Sequence, residues 1–211
     1  MKIGIIGLGR VYLHYRDNFI NLLLNEGHEI YIYDIGIYIN QDCRLKQVYS
    51  LDELINQKIN FSIISSISGT HYKISKKLLN FGIHVLSEKP PVMSENELIE
   101  LIQLSKKNSL KYGVIFQNRL NPSMKMAKEL ISYKYLGEIN ICSIRLHWCR
   151  YQNYYNDDWH GTWKNDGGVI NQQAIHHVDA MQWINGPFDT VSASYSNQIN
   201  NLEAEDTMIS L

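Results

Sequence analysis

A short apolar run, Lys2-Ile-Gly-Ile-Ile6, runs straight into Gly7-Leu-Gly9 and from there into a helical pattern reaching about Leu24. No other feature restricts the possible folds as much. The first glycine permits a tight turn, and the second lets the backbone come close to an anion at a helix amino terminus. A strand that ends this way opens a strand–helix–strand unit, and the following residues repeat the alternation. The reading gives strands at Glu29–Tyr33, Phe61–Ser65, Ile83–Leu86 and Leu110–Phe116, with no clear period between Ile35 and Tyr49. Helices are expected at Leu51–Gln57 (capped by Ser50), Thr70–Asn80 and Glu95–Lys107. Strands alternating with helices imply an α/β fold with a doubly wound parallel sheet.

Asn121-Pro122 marks a change of organisation, which sets a first domain at 1–121 and a second at 122–211. The second reads as a helix over Ser123–Tyr133, a long strand over Glu138–Trp148 and an aromatic loop over Arg150–Trp163. A helix over Gly168–Ile184 and strand-like runs at Thr190–Ser196 and Asp206–Leu211 follow. This is an α+β pattern with a mostly antiparallel open sheet, and its ending inside a strand reads as an incomplete domain.

Composition narrows the partners. Lys plus Arg is 20 against 21 Asp plus Glu, and no basic run is present, which argues against a nucleic-acid or membrane-surface protein. Cys43, Cys142 and Cys149 have neither disulfide-framework nor metal-ligand spacing, so no metal site is expected and a reducing compartment fits. The amino terminus lacks a signal-peptide pattern, and no apolar stretch nears the ~20 residues of a membrane span. The expectation is a cytoplasmic protein.

Gly7, Gly9, Arg10 and Val11 would cradle a pyrophosphate, and Asp34 ends the second strand about 20 residues further on, where a dinucleotide-binding unit carries an acid. A carboxylate there accepts hydrogen bonds from both adenosine ribose hydroxyls and repels a 2′-phosphate, which implies NAD rather than NADP. The alternative is that Asp34 simply ends a strand, as Asp often does. Tyr12 stands where a third small residue usually lets helix and strand pack closely.

Ile83-His-Val-Leu-Ser-Glu88-Lys89-Pro90 resembles the glucose–fructose oxidoreductase / inositol dehydrogenase / rhizopine-catabolism family, abbreviated Gfo/Idh/MocA. The resemblance extends through Ser68-Gly-Thr-His71, Gln117-Asn-Arg119-Leu-Asn-Pro122, Gly167-Gly168 to His176-His177-Val-Asp179, and Glu205-Asp206-Thr207. Ile67 departs from it where the family often has Pro. The resemblance implies a Rossmann domain followed by a substrate domain that runs on beyond this chain, so that the chain looks truncated. It also implies a full-length homo-oligomer joined through the carboxy-terminal sheet.

It implies NAD-dependent hydride transfer on a hydroxyl or ketone of a sugar or nucleotide sugar. Lys89 would hydrogen-bond the substrate hydroxyl, and His176 would take the alcohol proton, for which an unperturbed pKa of about 6.5 is suited. Gln172, four residues before His176 on one helix face, would position substrate. Ser66, His71, Glu88 and Lys89 join the cofactor set, with Glu88 orienting Lys89 or contacting ribose. A Lys89–Pro90 cis bond is also implied. His177 reads as packing and Asp179 as a hydrogen-bond partner, and nothing completes a zinc site with His176.

Arg119, Arg150, Tyr155, Trp163 and Lys164 are candidates for the substrate: sugar faces and bases stack on aromatics, and Arg or Lys takes phosphate. An aromatic loop packed on the sheet or in a subunit interface is the alternative. Two other readings of function remain: a relative that keeps its cofactor and runs elimination or glycoside hydrolysis, and a non-catalytic regulator or remnant.

Overall fold

The alternation in the first half resolves into one parallel sheet. The computed structural model describes residues 1–36, 40 and 42–211, in two units, Met1–Ile115 and Phe116–Leu211. In the first unit β1 (Lys2–Ile6), β2 (Glu29–Tyr33), β3 (Leu45–Gln47), β4 (Phe61–Ile64), β5 (His84–Ser87) and β6 (Tyr112–Val114) lie in the order β3-β2-β1-β4-β5-β6. All neighbouring pairs are parallel. The strand β3 falls within the segment where no period could be read. The order reverses direction between β1 and β4, so a crevice opens beyond their carboxyl ends, where doubly wound folds hold ligands.

Successive strand residues feed opposite faces of the sheet. Ile6 and Tyr31 pack with Leu54 of α3 (Leu51–Asn56), Leu78 and Leu79 of α4 (His71–Asn80) and Leu101 of α5 (Glu95–Lys107). Their neighbours Ile5, Ile30 and Ile32 face the other way, onto Tyr12 of α1 (Arg10–Tyr15) and Ile20. Gly4 sits where a Cβ would meet Ile59 Cδ1 at 2.7 Å, so its lack of a side chain lets α3 and its flank close on the sheet. The first helix continues from α1 through a π-turn (Arg16–Ile20) into α2 (Asn21–Asn25). Caps hold the helix starts: Ser50 Oγ accepts the Glu53 N–H at 3.0 Å, and Asn121 Oδ1 accepts that of Ser123 at 3.0 Å at the start of α6 (Pro122–Ser132).

The second unit holds α6, a π-turn at Ile170–Ala174 leading into α7 (Ile175–Asn185), and an antiparallel pair, β7 (Ala193–Ser196) with β8 (Thr207–Ser210). The strand expected over Glu138–Trp148 does not form. That stretch carries the alternating apolar pattern, but among the described residues no strand pairs with it, and nearly all of it is exposed. A strand exists only through its ladder, so the pattern alone cannot make one. β7 and β8 are shorter than the runs read from sequence, and β8 starts only at Thr207 because Asp206 is used as a cap: its carboxylate accepts the N–H groups of Gln198, Ile199 and Asn200 at 2.8, 2.9 and 2.7 Å. Among the described residues no helix is long and apolar enough to cross a membrane.

Candidate functional site

In the first unit the candidate residues gather at the carboxyl ends of β1, β2, β4 and β5. Gly7 has φ +91°, and a Cβ there would meet the Ser66 backbone nitrogen at 2.3 Å. The β1–α1 turn and the β4–α4 loop therefore touch backbone to backbone, and only glycine allows it. At Gly9 an added Cβ would meet nothing within 4 Å, so this glycine borders open space at the amino end of α1. Helix starts leave their first N–H groups without intrahelical acceptors, which suits a diphosphate. Arg10 and Val11 occupy the first turn and are exposed. Tyr12 does not clear space between helix and sheet but fills it, fully buried beside Ile5, Ile30 and Ile32.

Asp34 follows β2, and its two oxygens are already oriented: Oδ2 accepts the Leu8 N–H at 2.6 Å and Oδ1 that of Gly36 at 2.7 Å. The carboxylate is thereby fastened to the glycine turn, and each oxygen keeps a further lone pair for a hydroxyl donor. An open cradle at Gly9 beside a fixed acid is what a dinucleotide needs, so these residues fit NAD.

The Glu88-Lys89-Pro90 turn leaves β5, and the Lys89–Pro90 bond is cis, as the resemblance implies. Glu88 contacts the turn itself: Oε2 accepts the Lys89 N–H at 3.2 Å, while Oε1 accepts the Tyr15 hydroxyl of α1. Burial first, then Glu88, pushes the Tyr15 phenol above its ordinary pKa, so it is a standing donor. Nothing in the sequence pattern pointed to Tyr15, which looks like one more aromatic on a helix. Ser66 Oγ pairs with Thr70 Oγ1 at 2.7 Å. His71, expected beside the cofactor, is instead buried, with Nδ1 at 2.7 Å from the Pro90 carbonyl and Nε2 at 2.9 Å from that of Ser66. Both ring nitrogens are committed to backbone, so any part it has in the site is indirect. Lys89 is half-buried.

In the second unit Gln172 lies in the π-turn and His176 in the first turn of α7. The same-face argument assumed one uniform α-helix; the wider π-turn rotates less per residue and changes that relation. His176 stands 3.4 Å from the Gln117 side-chain amide and edge-on to the Phe116 ring at 6.2 Å. Arg119, assigned to substrate from sequence, has another partner: Nε donates to Asp179 at 2.8 Å and Nη2 to its other oxygen. Its guanidinium also lies over the rings of Phe116 and Trp183. The fork ties the 3₁₀ turn at Gln117–Leu120 to α7, and Asp179 is the hydrogen-bond partner the sequence reading made it.

The aromatic candidates fall into two groups. Arg150 lies 4.4 Å from the Trp148 ring and 5.3 Å from that of Tyr154, which meets Tyr155 edge-on at 5.0 Å. Burial, and then the neighbouring Tyr154, pushes the Tyr155 phenol up to about 12. Trp163 belongs elsewhere, edge-on to Tyr195 of β7 at 6.3 Å, and Lys164 is exposed. Sequence reading gave no role to Glu205, which is buried and accepts the Ile170 N–H at 3.1 Å. A Cβ on Gly168 would fall 1.9 Å from the Glu205 carboxyl, so Gly168 is what admits that acid beneath the π-turn.

Residues 1–116 match the model of the oxidoreductase family with the NAD-binding Rossmann fold, and residues 124–211 match that of the GFO/IDH/MocA C-terminal domain. Among curated relatives, the uncharacterized oxidoreductase sll0816 of Synechocystis is 28% identical over 76% of this chain and 47% of its own length. The scyllo-inositol 2-dehydrogenase (NADP(+)) IolW of Bacillus subtilis is 25% identical over 75% and 44%. The crystal structure of the WlbA dehydrogenase from Bordetella pertussis, in complex with NADH and UDP-GlcNAcA, superposes with a TM-score of 0.89 at 27% identity, covering 100% of this chain and 62% of that one. The chain thus spans about half the length of the curated relatives it matches.

Proposed function

The chain belongs to the GFO/IDH/MocA oxidoreductase family, and from that premise we propose that it serves an NAD-dependent dehydrogenase acting on a hydroxyl or ketone of a nucleotide sugar or related sugar. The observation that carries this reading is the pairing of the open Gly9 cradle with an Asp34 carboxylate fastened to the same turn. Bound there, NAD supplies the hydride acceptor or donor. Asp34 receives the ribose hydroxyls and repels a 2′-phosphate. Lys89 hydrogen-bonds the reacting oxygen, His176 holds or returns its proton, and Gln172 orients the sugar. Arg150 and Tyr155 are assigned to the substrate, with Trp163 and Lys164 as a separate group. The WlbA structure, which contains UDP-GlcNAcA, supports the nucleotide-sugar class, while the IolW relative, a scyllo-inositol dehydrogenase, supports cyclitols as the neighbouring class.

Fluorescence titration with NADH and NADPH tests the cofactor half. NADH is expected to bind at least tenfold more tightly, a difference of about 1.4 kcal/mol, and equal affinity would remove Asp34 from its role. The substrate half is tested by following NADH formation with a panel of uronic-acid nucleotide sugars and free cyclitols.

A further inference from the structure

Among the described residues, His71 is the buried histidine of the first unit, and its two ring nitrogens face two acceptors. His71 Nδ1 lies 2.7 Å from the Pro90 carbonyl, and Nε2 lies 2.9 Å from the Ser66 carbonyl. A carbonyl oxygen only accepts, and a neutral imidazole carries a single N–H. Both contacts are hydrogen bonds only when the ring is an imidazolium. With one proton, a lone pair would face a carbonyl oxygen within 3 Å, and that contact opens.

We propose that His71 is a positioning residue for the Lys89 turn that works as a proton-operated tie: doubly protonated it holds the Ser66 and Pro90 carbonyls together, and singly protonated it releases one of them. Ser66 belongs to the loop touching Gly7, and Pro90 follows Lys89 directly, so the tie joins the wall of the cofactor crevice to the turn that presents the lysine. The charged groups whose fields reach the ring are Glu88, which favours the cation, and Lys89, which opposes it; Glu88 is itself held by Tyr15. Burial is the strongest influence and draws the ring below its usual pKa, with the two carbonyls pulling the other way. The two-carbonyl setting is therefore the acid form, and the released setting prevails as pH rises past the ring's lowered pKa. That Lys89 is the side chain so positioned rests on the function proposed above; the tie itself does not.

The experiment is a pH titration of the 211-residue chain by NMR, with ¹⁵N-labelled histidine to follow the ring nitrogens of His71 and backbone ¹⁵N to follow Glu88, Lys89 and Thr70. On the acid side both ring nitrogens should carry protons, and the Glu88 and Lys89 amide shifts should move with the same midpoint as the ring. In His71→Gln, which keeps a donor but cannot titrate, that movement should vanish. Turn amides that stay silent while the ring titrates, or that move unchanged in the variant, overturn the proposal. If His71→Gln does not fold, the co-titration in the unsubstituted chain decides alone. NADH added at either end of the titration reports separately: no binding at any pH defeats the cofactor reading, whereas the ring and amide shifts still judge the tie.

Discussion

The first unit buries Ile3, Ile5, Ile6, Ile30, Ile32, Ile63 and Ile64 on its strands, with leucines from three helices closing over one face. In the second unit, among the described residues, Ala180 and Ala204 are the buried apolar residues, while His160, Asp166, Gln173, Asp179, Asn200 and Glu205 are buried with them. The one fold rests on area taken out of water, which is non-directional and tolerates exchange of one aliphatic for another. The other rests on directed polar contacts: Asp179 with Arg119, Glu205 with the Ile170 N–H, Asp206 with three backbone amides. Such contacts each need a particular partner, and an unpartnered buried acceptor costs more than a hydrogen bond gives. Over this chain, which spans about half the length of its curated relatives, the first unit is held by bulk and the second by oriented polar groups.

If chemistry draws on both kinds of region, a single removal in either should stop it. Lys89→Ala and His176→Ala are each expected to lower turnover by about 10²–10⁴-fold while leaving NADH affinity nearly unchanged. Lys89 comes from the first unit and His176 from the second. Near-normal turnover in one variant, measured by NADH absorbance, would confine the proton chemistry to the other unit.

The next effect is on stability. Ile63, buried in β4, should cost about 2–5 kcal/mol when cut to alanine, whereas Ile209 on β8, 69% exposed, should stay within about 0.5 kcal/mol. Urea denaturation of the two variants makes the comparison directly. Amide exchange should show the same contrast, with slow exchange in β1, β4 and β5 and fast exchange from Glu138 to Trp148. An Ile209→Ala cost as large as that of Ile63→Ala would mean that the second unit hides an apolar core after all.

These differences also explain how far the residues could be read without coordinates. The first unit announces itself because short apolar runs, glycine turns and Ser caps are local signals, and the local signals agree with the global fold. Gly7 and Asp34 were legible as a pair since both sit at strand ends. The tie made by His71 was not: a histidine at the start of a helix carries no sign of which carbonyls fold back to meet it. Tyr15 was hidden for the same reason. In the second unit the pattern over Glu138–Trp148 misled, because alternation reports a preference for a ladder and says nothing of the partner strand. The partners of Glu205 and Arg119 were not legible because they lie 35 and 60 residues away in the chain.

Arg119 and Asp179 offer a smaller, more local break. Asp179 is buried and receives a two-toothed guanidinium contact, but Arg119 keeps 43% of its side chain in solvent, which screens the pair. Asp179→Ala should cost about 1–3 kcal/mol, the range for a hydrogen bond to a charged group or a lost buried partner. Exchange should rise in α7 and at Gln117–Leu120 while β1 to β6 keep their protection. A loss spread evenly over both units would make the fork part of a common core and erase the distinction between them.

Acid should separate the units most gently and in one direction. At Asp206 burial raises the pKa, but the N–H groups of Gln198, Asn200 and Ile199 together with Thr207 outweigh it and hold the carboxyl below its ordinary value. At Asp157 burial again raises it, and the backbone and ring of His160 with the Trp159 N–H bring it down. A carboxylate whose folded pKa lies below the unfolded one, about 3.9, contributes stability that is complete above the unfolded value and lost as pH falls through the folded one. In the first unit the carboxylates lowered in this way, Glu29, Asp42 and Glu100, are paired on the surface with Lys46, Arg44 and Lys76, where screening leaves little to lose. Between about pH 4 and pH 2, the range below the ordinary carboxylate pKa, the amides of residues 198–200 and 159–160 should therefore lose protection first. The amides of β1, β4 and β5 should hold until the chain unfolds as a whole. Asp206→Asn should reproduce part of the loss at neutral pH, since its amide oxygen still accepts but without charge. If both sets of amides open together on acidification, the loop's bonds to Asp206 are not what keeps it folded.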